Sequence, residues 1–399
     1  MVSKLDTPSQ GQRFRIIVAG ICALILTVGV ARFAYTPMLP IMSRQAHLSH
    51  LAGGWLAALN YAGYMGGTLL AASISDVMKK YVLYRASLVI AVLSTAAIGL
   101  TDNLLAWGLL RFFSGLASIG GMLLASGLVL NWLIRSGMRP ELGLHFTGLG
   151  LGISLSGLVV ATTSTSLRWD GQWLMLGAIG LVFSIPAWIW LPAPVNVCKT
   201  AATSESNAGL PSGKWMWLCI LSYFCAGFGF AIGATFIVAI LEKLPMLAGR
   251  GGFIWAGVGL AALPSTYVWD RIASAWGTVR ALSVAYGLQL VSLVIPAFSE
   301  GLFTNLASAV LFGATFAGIV SLTLTLIGRR YPANPAKAMA RMTLSYGIAQ
   351  IVAPAMTGYL AQATGSYRDA LLVSAFMMVI GLGLLHLLSA EESRSALFA

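Results

Sequence analysis

The chain has 399 residues, of which 58% are hydrophobic and only 9% charged, and its mean hydropathy is +0.84. Polar side chains are too few to cover a water-facing surface, which excludes a soluble enzyme or a disordered scaffold and requires most of the exterior to face hydrocarbon. The net charge of +12, from 24 Lys and Arg against 12 Asp and Glu, then reads as the basic bias of one membrane face, with no nucleic-acid partner implied.

Apolar runs of about 20 residues predict twelve transmembrane helices. The first, 16–42, is too long for a signal-peptide core and carries Arg32 near its middle, so it reads as a retained span. It is followed by 52–74, 84–100, 104–133, 142–163 and 173–191. Residues 192–214, with prolines at 192, 194 and 211 around a Thr/Ser/Asn/Gly/Ala-rich centre, cannot bury a core and read as a flexible linker. The second set is 215–241, 253–268, 281–298, 302–327, 342–361 and 370–388. The halves echo one another: Phe33-Ala34 aligns with Phe230-Ala231, and Arg85-Ala86 with Arg280-Ala281 at nearly the same offset. A duplicated six-helix unit accounts for this. The expected fold is therefore an all-α integral membrane protein, with twelve helices in two pseudo-symmetric six-helix bundles (1–191 and 215–399) joined by 192–214.

An even number of spans puts both termini on one side. If that side is cytoplasmic, only Arg44, Arg168, Lys243, Arg250 and Arg368 lie outside, Arg32 and Arg111 lie within spans, and every other basic residue is inside. The positive-inside bias thus predicts cytoplasmic termini and a cytoplasmic linker. Cys22, Cys219 and Cys225 lie in apolar runs and Cys198 stands alone, a pattern with neither disulfide nor zinc spacing.

Arg32 is the most informative residue, because a guanidinium near the bilayer centre costs about 3 kcal/mol on insertion scales. It must face a wet cavity or a partner. Pro37 and Pro40 in the same span remove two backbone donors, leaving the carbonyls of Phe33 and Thr36 open, and broken backbone at membrane depth belongs beside a cavity. A purely structural alternative has Arg32 bonding those loosened carbonyls. Arg111 lies about 10 Å into the fourth span at 1.5 Å per residue and is within snorkelling reach of its end. Either arginine offers a planar fork suited to a carboxylate or phosphate. Every Asp and Glu falls in a loop or at a rim, so a titratable acid deep in the membrane is lacking, and His145 and His386 sit near cytoplasmic ends. Asn60, Tyr61 and Tyr64 in the second span and Tyr346 and Gln350 in the eleventh are polar groups on apolar helices; 60/64 and 346/350 share a face at i, i+4 spacing. They suit either solute contact or interhelical bonding. Gly148, Gly150, Gly152 and Gly157 in the fifth span predict close helix contact, since neither the preceding strand nor the glycine spacing of a nucleotide loop is present.

Two sets of six spans around a cytoplasmic linker resemble the major facilitator superfamily. Asp76 with Lys79 and Lys80 resembles its signature loop, with Ala72 where a glycine is expected; Asp270-Arg271 resembles the second copy, and Arg111 with Gly115 resembles the fourth-helix motif. The run Gly29-Val-Ala-Arg32-Phe-Ala-Tyr35-Thr-Pro37-Met-Leu-Pro40 is similar to the first-helix hallmark of the YbfB/YjiJ-like branch, as are Asn60-Tyr61-Ala-Gly63-Tyr64 and Tyr346-Gly347-Ile-Ala-Gln350. The resemblance implies a multi-pass transporter of the bacterial inner membrane. The fifth span lacks the Gly-Pro pair of drug/proton antiporters, which argues against drug efflux.

The combined expectation is a secondary transporter, acting as a monomer in the lipid bilayer, that moves a small organic solute of anionic character through a central cavity. Arg32 is the expected charge anchor, with Tyr35, Asn60, Tyr64, Tyr346 and Gln350 as polar lining, and Asp76, Arg111 and Asp270 as gating or coupling residues. Neither a Lys-Ser/Thr phosphate loop nor a cluster of nucleophile, base or metal ligands is legible, so no ATP, cofactor, metal or enzymatic chemistry is expected. The alternatives are a multidrug or metabolite exporter of the same fold, a membrane-embedded enzyme, or a sensor, which the short loops leave without a soluble output domain.

Overall fold

The computed structural model of the chain describes residues 10–138, 142–194, 213–331 and 335–397. Most of the expected linker (195–212) lies outside the described residues, as do Lys4, Arg139, Cys198 and Lys199. Among the described residues the chain is helical and has no strands. Helices are the form in which a spanning backbone satisfies its own polar groups without water.

The first span consists of α1 (Gln10–Leu24), a π-helical segment (Ile25–Val30), a turn at 31–34 and α2 (Tyr35–Gln45). α3 (His50–Ser73) and α4 (Val77–Ile98) are the second and third spans. The fourth is interrupted like the first: α5 (Leu104–Ala117), a second π segment (Gly120–Ala125) and α6 (Ser126–Arg135). α7 (Gly143–Thr163) and α8 (Trp169–Trp190) complete the first half. The second half runs through α9 (Gly213–Leu241), α10 (Gly251–Ala262) with α11 (Ser265–Trp276), α12 (Thr278–Phe298), α13 (Leu302–Arg330), α14 (Pro335–Thr364) and α15 (Arg368–Leu397). Side-chain caps set several starts: Asp76 accepts from the N–H of Met78 at 2.7 Å, and Asn103 from that of Leu105 at 2.9 Å.

Ten of these spans are long and apolar enough to cross a membrane. α3 and α14 fall short for a chemical reason, since they carry the polar groups at 60, 61, 64, 346 and 350. The two helices pack against each other across the chain halves, with Asn60, Tyr61, Tyr346 and Gln350 all buried. The first and seventh spans are central: 78% and 83% of their most apolar windows are buried, against 28% for α8, whose Leu181, Val182 and Ile189 face outward as a lipid-facing surface would.

The fifth-span glycines make the close contacts their spacing predicts, on two faces. Gly152 lies against Gly29 of the first π segment, where an added Cβ would stand 2.8 Å from the Gly29 Cα. Gly150 and Gly157 face Gly259 and Gly252 of α10, so this contact between the halves is backbone against backbone. Further joints link the halves, α3 on α14 and α2 on both α9 and α10. At the end of the bundle opposite Gln10 and Leu397, here the distal end, Arg44 Nη1 meets Glu242 Oε2 at 2.6 Å, and His50 Nδ1 and the Tyr367 hydroxyl lie 2.9 Å apart. At the terminal end, the ion pairs Lys214–Glu391 (3.2 Å) and Arg330–Glu392 (2.7 Å) both stay within the second half.

Candidate functional site

The break in the first span builds the site. The expectation from Pro37 and Pro40 was open carbonyls at Phe33 and Thr36, but Thr36 N–H donates to Phe33 O at 3.2 Å. The chain yields one turn earlier. The π segment shifts the pairing, with Ala31 N–H donating to Leu26 O at 2.9 Å and Phe33 N–H to Val28 O at 3.0 Å. The carbonyls of Ala31 and Arg32 are thereby freed, and side chains of α5 fill them. Arg111 Nη1 donates to Ala31 O at 3.2 Å, and both its Nη atoms donate to Arg32 O at 3.3 Å. Ser114 Oγ donates to Ala31 O at 2.5 Å. Asn60 Nδ2 in turn donates to Arg111 O at 2.9 Å, tying α3 to the same point. Arg111 is 3% exposed and its guanidinium lies over the Tyr35 ring at 4.4 Å, so it points into the bundle and does not snorkel. The bracing role weighed for Arg32 belongs to Arg111.

Arg32 is thereby left with another environment. Its guanidinium lies 4.3 Å from the Tyr64 ring centroid, 4.8 Å from Tyr61 and 5.2 Å from Phe33, and its Nε has no hydrogen-bond partner. Ring faces attract a cation but do not neutralise it. Among the described residues the ion pairs are Arg44–Glu242, Lys214–Glu391 and Arg330–Glu392, and neither central arginine has a carboxylate partner. Only Arg32, Arg111 and Glu242 are charged side chains buried among the described residues.

Arg32, Tyr35, Asn60 and Arg111 line one cavity, together with Thr36, Tyr61, Ala234 and Thr235. Its volume is about 10 Å³, room for about one water. Arg32 is 6% exposed, so in this conformation the site is closed around a water-sized space. The cavity sits where the halves meet: Thr36 Oγ1 donates to Ala234 O, and Phe33 and Tyr61 each pack edge-on against Phe230 at 6.4 Å. Tyr35 is engaged elsewhere, its hydroxyl donating to Gly53 O at 2.9 Å.

The remaining predicted residues lie around this centre or away from it. Tyr64 covers Arg32 from the α3 side. Tyr346 and Gln350 are buried on α14 outside the cavity lining, and Tyr346 stacks on Tyr223 at 4.4 Å and 26°. Asp76 is an exposed helix cap bonded within its own helix, and Asp270 is exposed on α11. Sequence reasoning missed Thr36 and Thr235 in the cavity wall; the available signal was a lone threonine in the apolar seventh span. It also read Glu242 only as a rim acid, whereas Glu242 joins the halves. In the distal cluster, burial and the neighbouring Lys243 charge hold the His50 imidazole below its ordinary range, and burial pushes the Tyr367 hydroxyl up. Among the described residues, no three His, Cys, Asp or Glu side chains group as a metal site would require.

A helical bundle of twelve spans, broken at its centre around a buried arginine at the junction of two halves, defines a membrane transporter of the major facilitator type. A family model described as "Uncharacterised MFS-type transporter YbfB" matches residues 24–386, and the chain belongs to that family. It is similar to the probable sulfoacetate transporter SauU of Cupriavidus necator, at 23% identity over 332 residues covering 72% of this chain and 73% of the relative. It is also similar to the MFS-type transporter YceJ of Bacillus subtilis, at 25% identity over 162 residues covering 40% of this chain and 41% of that one. Among solved structures, the nucleoside transporter NupG superposes with a TM-score of 0.76 at 14% identity, covering 95% of this chain and 99% of NupG. A bacterial homologue of the lysosomal transporter Spinster, in an inward-facing and unoccupied conformation, superposes at 0.69 with 13% identity, covering 96% and 98% of the two chains. These likenesses carry the fold; the family and its relatives are transporters, not enzymes.

Proposed function

We propose that this protein is a secondary transporter that carries a small organic anion by alternating access through the cavity at Arg32. The observation that carries the reading is a buried guanidinium without a carboxylate partner, at the surface where the two halves meet. A cation at that depth is expensive unless an anion or water reaches it. The similarity to a transporter named for sulfoacetate, itself an anion, supports the same class.

In this reading residues 1–191 and 215–399 are two bundles that rock about the site, joined by 192–214, and the protein works as a monomer in a bacterial inner membrane. The basic residues favour cytoplasmic termini, so the distal end faces outward. The distal contacts Arg44–Glu242 and His50–Tyr367 then hold the outer side shut, and the closed site opens to the cytoplasm when the terminal ends of the two halves move apart. Arg111 holds the break in the first span so that Arg32 points into the cavity. Tyr35, Asn60 and Tyr64 surround the anchor, Tyr346 and Gln350 join the lining when the halves separate, and Asp76 and Asp270 act at the loops.

The test is flux in proteoliposomes of purified protein with a panel of labelled carboxylates and sulfonates beside their neutral amides. The reading expects uptake of at least one anion but not of its amide, and loss of that uptake in Arg32→Ala. Transport confined to uncharged compounds, and unchanged by Arg32→Ala, contradicts it.

A further inference from the structure

The two walls of the site differ in kind, and the difference bears on what the solute looks like. On the first-half side there are two guanidinium groups, but only one is available. Arg111 has both Nη atoms bonded to the Ala31 and Arg32 carbonyls and its face on Tyr35. Arg32 has no such backbone carbonyl, and its guanidinium lies over the Tyr64 and Tyr61 rings. The site therefore offers one planar fork, which suits one carboxylate or sulfonate group.

On the second-half side there is no charge. Glu242, the buried charged residue of that half among those described, lies at the distal end and is paired with Arg44. The second-half lining is Ala234 and Thr235, and beside it, against the cavity residues Phe33 and Tyr61, stands a set of rings centred on Phe230: Tyr346 at 5.7 Å, Phe316 at 5.5 Å and Phe312 at 6.4 Å, with Tyr223 stacked behind Tyr346. Phe33 and Tyr61 of the first half complete the packing on Phe230, so this set is crossed by the parting surface. Rings that belong to one bundle alone keep their neighbours when the halves separate. Phe230 loses Phe33 and Tyr61, and an aromatic face inserted between the halves would replace them.

We infer, resting on the anion reading above, that the solute is an amphipathic monoanion: one carboxylate or sulfonate held by Arg32, on an aromatic or broad apolar body seated against Phe230. A dianion with its charges at opposite ends is disfavoured, because with one charge at the arginine wall the other would be desolvated against the rings of the second half. The site is water-sized in the closed conformation, so the body enters only as the halves separate and bridges them once seated.

The experiment is a thermal-shift titration of the purified full chain with four probes: phenylacetate, acetate, succinate and phenylacetamide. Phenylacetate is expected to stabilise the protein with an apparent affinity at least about tenfold tighter than acetate, the factor one well-seated aromatic contact supplies. Succinate and phenylacetamide are expected to give no shift. Phe230→Leu should abolish the preference for phenylacetate over acetate, and Arg32→Gln should abolish the response to both; unliganded melting confirms that each variant is folded, with Arg32→Lys as the conservative partner. The absence of a phenylacetate shift overturns the inference. If succinate or sulfoacetate stabilises the protein in its place, the anion reading stands and only the aromatic monoanion falls. If phenylacetamide matches phenylacetate and Arg32→Gln changes neither, both readings fall together.

Discussion

Glu242→Gln, which keeps size and removes charge, tests whether the distal end is held shut by the contacts seen there. Glu242 Oε2 is 2.6 Å from Arg44 Nη1, and Oε1 accepts from the Gly251 N–H at 2.7 Å. The second bond lies within one half and is the same whether the halves are apart or together, so only the Arg44 contact bears on closure. The Arg44 side chain is 53% exposed and that of Glu242 5%. Solvent screening at the arginine limits the pair to about 0.5–1 kcal/mol, or about a two- to fivefold change in the closed-to-open ratio. His50→Phe removes the neighbouring bond to Tyr367, worth about 1 kcal/mol. If the two act independently, the double variant shifts the ratio about tenfold or more. Spin labels at His47 and Gln362, exposed distal positions on opposite halves, report the distance directly. The ratio of long- to short-distance populations should rise about two- to fivefold in Glu242→Gln and about tenfold or more in the double variant. An unchanged distance distribution in the double variant would refute the claim that these contacts hold the distal end closed.

Three further outcomes follow from the geometry. Arg111→Ala leaves the Ala31 and Arg32 carbonyls short of donors and should cost about 2–4 kcal/mol, seen as a lowered melting temperature, whereas Ser114→Ala, which removes one of those donors, should cost about 1 kcal/mol. Gly115→Ala sets a Cβ against the Asn60 carbonyl of α3, a backbone contact that cannot yield, so α3 and α5 must separate and the monodisperse peak in size-exclusion chromatography should be lost. Acid should loosen the distal end. Burial and the Lys243 charge of the other half hold the His50 imidazole below its ordinary range, so the closed end is favoured above that range and weakened as pH falls and the ring charges against Lys243. The His47–Gln362 distance should therefore lengthen on acidification in the wild type and stay constant with pH in His50→Phe.

Much of the architecture is legible in the sequence because a bilayer requires long apolar runs, and the runs are there. α3 and α14 were legible as apolar runs too, but not their partners: Asn60 bonds α5, Tyr346 stacks on Tyr223 of α9, and the two helices approach at Gly54 and Gly358. The fifth-span glycines announced close packing correctly, because only backbone contact explains so many Cβ-less positions on one helix. The site was legible in its anchor but not in its mechanics. Two prolines pointed to a break, yet the backbone relieves the strain through a π segment one turn earlier, and local propensity does not encode that choice. Arg111 looked free to snorkel because its partners, the carbonyls of Ala31 and Arg32, belong to another helix. Thr36 with Ala234, and Arg44 with Glu242, join residues 198 apart in the chain, a pairing that a single sequence does not disclose.

The central claim is that the charge of Arg32 recognises a negatively charged solute. The most direct measurement is counterflow exchange of the best-transported anion by wild type, Arg32→Lys and Arg32→Gln in matched proteoliposomes. The account predicts exchange by wild type, exchange with a raised KM by the lysine variant, and none by the glutamine variant. Exchange by Arg32→Gln at the wild-type rate and KM would contradict it.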